Sequence, residues 1–293
     1  MTTDELITET DLPGLRLHSR GKVRDIYDLD DKLLIVTTDR ISAFDHVLPT
    51  PIPGKGAVLT AMSAYWFART REIVPNHLIT TDVDAMGEAL APHRDVLRGR
   101  SMLVRKADRI DAECVVRGYV TGSGWLDYQR TGEICGIQIP PGMAEAEPFE
   151  HPLFTPATKA ETGHDENIDF ERFCGLVGEV AERLRDVSLA VYEHALDHAR
   201  SRRIIIADTK FEFGWIDGEL TLIDEALTPD SSRFWDEAEY VVGGSPPSFD
   251  KQIVRNHLIQ SGWDREPPVP ELPTEIVEQT AARYREIMHR LTA

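Results

Sequence analysis

IIIADTKFEFGWIDGELTLIDE, residues 204–225, reads as a β-hairpin, and its register decides the fold and the site. Arg203–Asp208 is an apolar run that ends in charge, and Asp217–Gly218 is a hairpin turn dipeptide. Alternate residues of a strand share a face. Asp208, Lys210 and Glu212 therefore project together, and Thr209, Phe211 and Phe213 project the other way. A solvated strand edge would show the same alternation, but the second arm, Leu220–Ile223, ends in two carboxylates, Asp224 and Glu225. A two-residue turn would pair Glu212 with Ile223 and send Asp224 to the Phe211 face. A three-residue loop, Ile216–Gly218, would pair Glu212 with Leu222 and Lys210 with Asp224. The expectation is the odd-length loop, or a bulge near Gly214 with the same effect, gathering Lys210, Glu212 and Asp224 on one face. Two carboxylates and a lysine so placed suit a magnesium–polyphosphate site. Mg²⁺ takes one or two carboxylates and completes its shell with phosphate oxygens and water.

Working outward, residues 15–38 read as strand, turn, strand, turn, strand, with Gly21 in the first turn. Residues 57–72 carry a helical apolar period. Ser101–Lys106 and Glu113–Val120 read as strands, and Gly122–Gly124 opens a short helix. Residues 139–157, with five prolines, read as irregular. A long helical region from about Asp169 to Arg202, in one piece or two, precedes the hairpin, and Phe249–Gln260 and Thr274–Leu291 read as helices. Strands lead and long helices follow, which predicts an α+β fold. The expected division is a small antiparallel-sheet domain over residues 1–110 and a larger mixed α/β domain over 111–293.

Composition narrows the function. The 293 residues carry 32 basic and 50 acidic side chains, a net charge of −18. Such a surface repels phosphate backbones, so no nucleic-acid partner is expected. Small anionic substrates stay open, because a site's field is set locally. No apolar run approaches the roughly 18 residues of a membrane span, and the acidic N-terminus does not resemble a secretory signal. Cys114, Cys135 and Cys174 show no C-x-x-C spacing and read as reduced structural thiols of a cytoplasmic protein.

Several further clusters are candidates. Ser19–Tyr27 places Lys22 and Arg24 after Gly21, either a plain hairpin turn or a lid over a triphosphate. No Walker A pattern is present, so any ATP lid would be of the strand–loop–strand kind found in kinases. Arg117 precedes Gly122-Ser123-Gly124, where free N–H groups at a helix start suit phosphate; Ser123 as a simple N-cap explains the same residues. Thr228–Arg233, Phe154–Lys159 with His164–Asn167, and Asp39–Asp45 are polar loops. His194 and His198 stand four apart without an H-E-x-x-H motif, a poor zinc site. There is no G-x-S-x-G and no G-x-G-x-x-G after a strand.

In this order GKVRDIY (21–27), TTDRISAFD (37–45), ECVVRGYVTGSG (113–124), PLFTPATKAETGHDENI (152–168), IIIADTKFEFG (204–214) and LIDEALTPDSSRFW (222–235) closely resemble one family. It is the phosphoribosylaminoimidazole-succinocarboxamide synthase, or SAICAR synthetase, family of purine biosynthesis. The resemblance runs from about Gly21 to Gly262 and implies an ATP-dependent carbon–nitrogen ligase. Its substrates would be ATP, a carboxyaminoimidazole ribonucleotide and L-aspartate, its cofactor Mg²⁺, and its state a monomer or homodimer. The fold it implies is kinase-like in the N-terminal lobe and ATP-grasp- or kinase-like beyond.

The resemblance also implies residue roles. Gly21, Lys22 and Arg24 would cover the ATP phosphates, and Val104 would lie in the connection beside adenine. Glu212 and Asp224 would hold magnesium, with Asp208 at a second metal. Arg117, Ser123 and Arg233 would hold the ribonucleotide phosphate. Lys210 and Asp208 would act at the reacting carboxylate, Asp45 would face the same substrate, and Lys159 would serve the aspartate pocket. Two alternatives share this ATP apparatus: a small-molecule kinase, which would release ADP without aspartate, and a nucleotide-binding regulator, which need not keep a metal site.

Overall fold

Residues 6–159 and 165–293 are described in the computed structural model. The five residues 160–164, including His164 of the fourth motif, lie outside the described residues. The N-terminal pattern forms β1 (Arg16–Arg20), β2 (Arg24–Leu29) and β3 (Lys32–Thr37), joined by tight turns. β4 (Leu78–Thr80) and β5 (Ser101–Arg105) complete an antiparallel sheet of order β1-β2-β3-β5-β4. Between β3 and β4, helix α1 (Lys55–Thr70) buries Val58, Met62, Trp66 and Phe67, as its apolar period predicts.

The second sheet has seven strands. Its longer members are β6 (Ala112–Tyr119), β7 (Pro148–Phe154), β8 (Ile204–Ile216), β9 (Glu219–Ile223) and β10 (Ser232–Asp236). β6, β9 and β10 all pair with the 13-residue β8, which is therefore its spine. Helix α2 (Gly122–Thr131) follows β6. Helices α3 (Phe170–Val177) and α4 (Ala181–Ser201) make up the long helical region in two pieces, with a 3-10 turn between them. The Asp169 carboxylate caps α3 by accepting from the Arg172 N–H at 2.7 Å. Helices α5 (Gln252–Gln260) and α6 (Thr274–Thr292) close the chain.

Two expectations are corrected. The stretch 139–157 is not wholly irregular, because β7 pairs with β6 through Leu153↔Arg117 and Phe154↔Val116. Its prolines survive because β7 is an edge strand, begins at Pro148 and breaks register between Pro148 and Leu153. The second correction concerns the hairpin. Its turn has two residues, Asp217 at φ 52° and Gly218 at φ 78°, and pairs Ile216 with Glu219 and Glu212 with Ile223. Two left-handed residues make a turn whose twist matches the flanking strands, which removes the need for an odd-length loop or a bulge near Gly214.

The sheets share one core. Ile35 and Val104 from the first, Phe211 and Phe213 from β8, Trp66 and Phe67 from α1, and Tyr192 from α4 belong to a single buried cluster. The backbone also joins the two halves: Leu222 N–H donates to the Pro75 carbonyl at 2.9 Å, and His77 N–H to the Leu222 carbonyl at 3.1 Å. These bonds hold the end of β9 beside the first sheet.

Candidate active site

Asp208 and Lys210 of the charged face of β8 line one cleft of about 960 Å³, and Glu212, Asp224 and Lys159 lie behind its wall, linked to the lining residues Glu113 and Arg24. Lys22 and Arg24 enter it from the first sheet, Arg117 and Ser123 from β6 and α2, and Asp208, Lys210 and Arg233 from β8 and β10. Three clusters make up its chemistry.

The first joins the two sheets. Arg24, on β2, reaches 200 residues along the chain to grip both oxygens of Asp224, at 2.5 and 2.8 Å, and touches Glu225 at 3.3 Å. Asp224 gets there despite the register that was expected to turn it away. The ladder stops at Glu212↔Ile223, and Asp224 itself is left-handed at φ 66°, so the strand alternation ends before it. Burial alone would raise the Asp224 carboxyl; Arg24, helped by Lys159 and Lys210, holds it below its ordinary value.

The second cluster centres on Glu113, which is 1% exposed. Lys159 donates to Glu113 at 2.6 Å and to Glu212 at 2.5 Å, and Lys210 donates to Glu113 at 3.3 Å. The other Glu113 oxygen, Oε2, is buried with no hydrogen-bond partner among the described residues. Burial, then the charges of Asp224 and Glu113, push the Glu212 carboxyl up to about 7 although Lys159 opposes them. Three carboxylates crowd here, and that excess is the electrostatic condition a cation relieves.

The third cluster follows from strand register. Asp208 lies directly opposite Arg117 on β6 and Arg233 on β10. Side chains directly opposite share a sheet face. Asp208 Oδ2 accepts from Arg117 at 2.9 Å and also from Arg233. Arg117 further donates to Thr155 Oγ1 at 3.0 Å and to Ser123 Oγ at 2.8 Å, so its fork is fully oriented. Gly122, at φ 58°, lies so close to Arg233 that an added Cβ would stand 2.6 Å from Nη2, which explains glycine there.

The structure brings together most of the residues singled out in the sequence, with three qualifications of place. Asp208 sits between the arginines rather than with Glu212 and Asp224, and among the described residues no group of three or more His, Cys, Asp or Glu side chains is arranged to hold a metal unaided. Val104 is fully buried in the core, and the connection after it, Lys106–Asp108, lines a separate cavity of about 320 Å³ with Leu33 and Trp215. Lys22 pairs with Asp45 across the mouth of the large cleft, while Gly21 turns the chain by donating its N–H to the Arg24 carbonyl at 2.8 Å. Sequence reasoning missed Glu113, and it noted Glu225 at the end of the hairpin without giving it a role. Glu113 had a signal: it shares alternation with Arg117 on β6, opposite the charged face of β8.

The bland readings hold elsewhere. His198 hydrogen-bonds the Tyr65 hydroxyl and the Leu291 carbonyl, a structural role. Burial pushes the Cys114 thiol well up and that of Cys135 to about 11, so neither is a ready nucleophile. No helix of the described residues is long and apolar enough to cross a membrane.

A family model described as SAICAR synthetase matches residues 17–270. The phosphoribosylaminoimidazole-succinocarboxamide synthase of Pelobacter propionicus is 56% identical over 288 residues, covering 98% of this chain and 97% of its own. That of Citrifermentans bemidjiense is 56% identical over 294 residues, covering 100% and 99%. The Saccharomyces cerevisiae SAICAR synthase, solved with SAICAR, superposes with a TM-score of 0.88 at 42% identity, covering 98% of both chains. A SAICAR synthetase solved with ADP gives a TM-score of 0.67 at 25% identity, covering 94% of this chain and 97% of its own. The protein is an enzyme of the ATP-dependent ligase class. More narrowly, it belongs to the SAICAR synthetase family.

Proposed function

We infer that this chain joins L-aspartate to the carboxylate of 5-amino-1-(5-phosphoribosyl)imidazole-4-carboxylate, consuming ATP and giving SAICAR, ADP and phosphate. Family membership supports the ligase over the kinase alternative. The observation that carries the residue roles is the division of one cleft into an acidic cluster bridged by Arg24 and an arginine cluster organised by Asp208, with Lys210 between.

A carboxylate resists amine attack because its oxygen leaves poorly. Transfer of the γ-phosphoryl group of ATP onto that oxygen gives an acyl phosphate, and the aspartate amine then displaces phosphate to form the amide. Phosphoryl transfer demands positioning and charge neutralisation more than covalent help. Lys22 and Arg24 serve the polyphosphate, and Arg117, Ser123 and Arg233 the ribonucleotide phosphate, where a guanidinium fork matches phosphate oxygens. Lys210 steadies the reacting carboxylate beside Glu113. Asp208, committed to two guanidinium groups, aligns them. Asp45 holds Lys22 at the mouth, and Lys159 bridges Glu113 and Glu212.

Glu212 and Asp224 fit Mg²⁺: both are hard oxygen donors, and the crowding that raises Glu212 is what a divalent cation would relieve. When bound with ATP, Mg²⁺ would neutralise charge on the phosphate oxygens. The antiparallel N-terminal sheet over a second, larger sheet supports a kinase-like reading of the fold, with the two domains meeting near residue 110. The test follows ADP release from ATP and Mg²⁺ with the ribonucleotide, with and without L-aspartate. SAICAR formed one per ADP, only with aspartate, is expected. ADP release without aspartate and without SAICAR would return the kinase reading.

A further inference from the structure

The turn between β1 and β2, proposed above as the lid over the polyphosphate, is held from behind by residues that the roles above do not use. Lys22, Val23 and Arg24 line the cleft, whereas Thr38 and Arg40, in the loop after β3, do not. The Arg40 guanidinium donates from Nε to the Lys22 carbonyl at 3.1 Å and from Nη2 to the Gly21 carbonyl at 2.9 Å. Thr38 takes the next carbonyl, that of Val23, with its N–H at 2.9 Å and its hydroxyl at 2.8 Å. The Arg24 carbonyl accepts from the Gly21 N–H at 2.8 Å. Every carbonyl from Gly21 to Arg24 is therefore bonded, and three of them to the TTDR segment of one motif.

Arg40 is itself fixed. Its Nη2 also donates to Asp25 Oδ1 at 2.9 Å, and its Nη1 to the Thr8 carbonyl. Asp25, fully buried on β2, accepts further from Arg20 at 3.2 Å and from the N–H and hydroxyl of Thr10 at 2.7 and 2.8 Å. Asp39, also fully buried, joins the same N-terminal segment by a pair of bonds: its N–H donates to the Ile7 carbonyl at 2.7 Å, and its carboxylate accepts from the Ile7 N–H at 3.0 Å. The N-terminal segment, β2 and the loop after β3 thus meet on one guanidinium. Its planar fork spans two adjacent carbonyls and a carboxylate at once, which the point charge of an ammonium does not. Left unbonded, the Gly21 and Lys22 carbonyls would be free to turn their oxygens toward the cleft, where they would repel a polyphosphate and carry Lys22 out of place.

We propose that Arg40 and Thr38 are positioning residues for ATP: they tie back the carbonyl groups of the lid, so that it presents Lys22 and Arg24 to the polyphosphate in one preset conformation. This rests on the assignment of the lid to ATP above. Neither residue lines the cleft, and both act through Gly21, Lys22 and Val23. A loop ordered before its ligand arrives does not have to be ordered by it, so the loss of these ties lowers affinity for the ligand the loop covers. The effect belongs to ATP and spares the other two substrates.

The test measures KM separately for ATP, ribonucleotide and L-aspartate in Arg40→Lys and Thr38→Val, beside Lys22→Gln as a probe of the lid itself. Thermal melting and amide exchange of the full chain, read by mass spectrometry on peptides spanning Ser19–Tyr27, accompany the kinetics. The released carbonyls predict a rise in ATP KM of about tenfold for Arg40→Lys and about threefold for Thr38→Val. The other two KM values should stay within about twofold, as for sites that do not touch the change. Exchange should quicken in the lid and stay unchanged in the rest of the sheet. If Arg40→Lys does not fold, Thr38→Val decides. A folded variant with unchanged ATP KM and unchanged lid exchange overturns the assignment. So does an equal rise in all three KM values with exchange quickened throughout the sheet, the mark of a merely structural role. If Lys22→Gln raises the ATP KM while the other two variants do not, the positioning role alone falls. If none of the three variants changes it, the assignment of the lid to ATP falls as well.

Discussion

The two ends of the cleft are built differently. The arginine end is local to one sheet: Asp208, Arg117 and Arg233 lie on adjacent strands in direct register. Once β8 pairs, that end exists. The acidic end is assembled across the molecule, since Arg24 belongs to the first sheet and Asp224 to the end of β9. It exists only while the two sheets stay docked. The difference teaches that the arginine end, proposed for the ribonucleotide, is preorganised by secondary structure, whereas the acidic end, proposed for ATP, depends on tertiary contact and is the end able to respond to closure.

The comparison can be broken in graded ways. The largest effect is expected from Glu212→Gln, which removes a proposed metal ligand: turnover should fall by at least about a hundredfold. Its melting temperature should not fall, because it removes a crowded charge. A single-turnover assay beside a thermal melt checks both, and wild-type turnover in the variant would refute the metal role. Next is Asp208→Asn, which leaves two guanidinium groups without their shared carboxylate. It should cost about 3 kcal/mol of stability, read by urea denaturation. It should also raise the ribonucleotide KM more than the ATP KM. Arg24→Lys should do the reverse, since an ammonium cannot span both Asp224 oxygens. If both variants shift the same KM, the division into two ends is wrong.

A smaller effect is a pH dependence. The folded pKa of Glu212 lies near 7 and its ordinary value is 4.5, so the folded state holds more protons between them. Ligand-free stability therefore falls as pH rises through that window, and Glu212→Gln should flatten the decline. Thermal melts between about pH 4.5 and 7 read it directly. The smallest expected effect is Gly218→Ala in the hairpin turn, about 1 kcal/mol of stability with no change in any KM.

Much of this was legible beforehand. Strand alternation over Asp208–Phe213 separated the charged face from the core face, and both assignments hold, with Phe211 and Phe213 buried. The register of β9 was misjudged because alternation was carried one residue too far. Asp224 is left-handed, and a strand's faces say nothing about a residue beyond its last pair. Glu113 was passed over because its alternation with Arg117 gains meaning only once β6 is known to lie beside the charged face of β8, and its partners Lys159 and Lys210 are distant in sequence. The ion cluster formed by Lys55, Asp230 and Lys251 was invisible for the same reason. Lys55 opens α1, Asp230 lies in the loop between β9 and β10 and Lys251 precedes α5, and Lys55 looks like any surface lysine at a helix start until the fold buries it.

The central claim is that the cleft activates a carboxylate by phosphorylation. The most direct measurement uses ribonucleotide labelled with heavy oxygen in its carboxylate and follows the label by mass spectrometry after one turnover with ATP, Mg²⁺ and L-aspartate. The account predicts one labelled oxygen in each inorganic phosphate released, because that oxygen attacks the γ-phosphorus and leaves with it. Phosphate free of label, with SAICAR still formed, would contradict the acyl-phosphate route and the assignment of Lys210 to the reacting carboxylate.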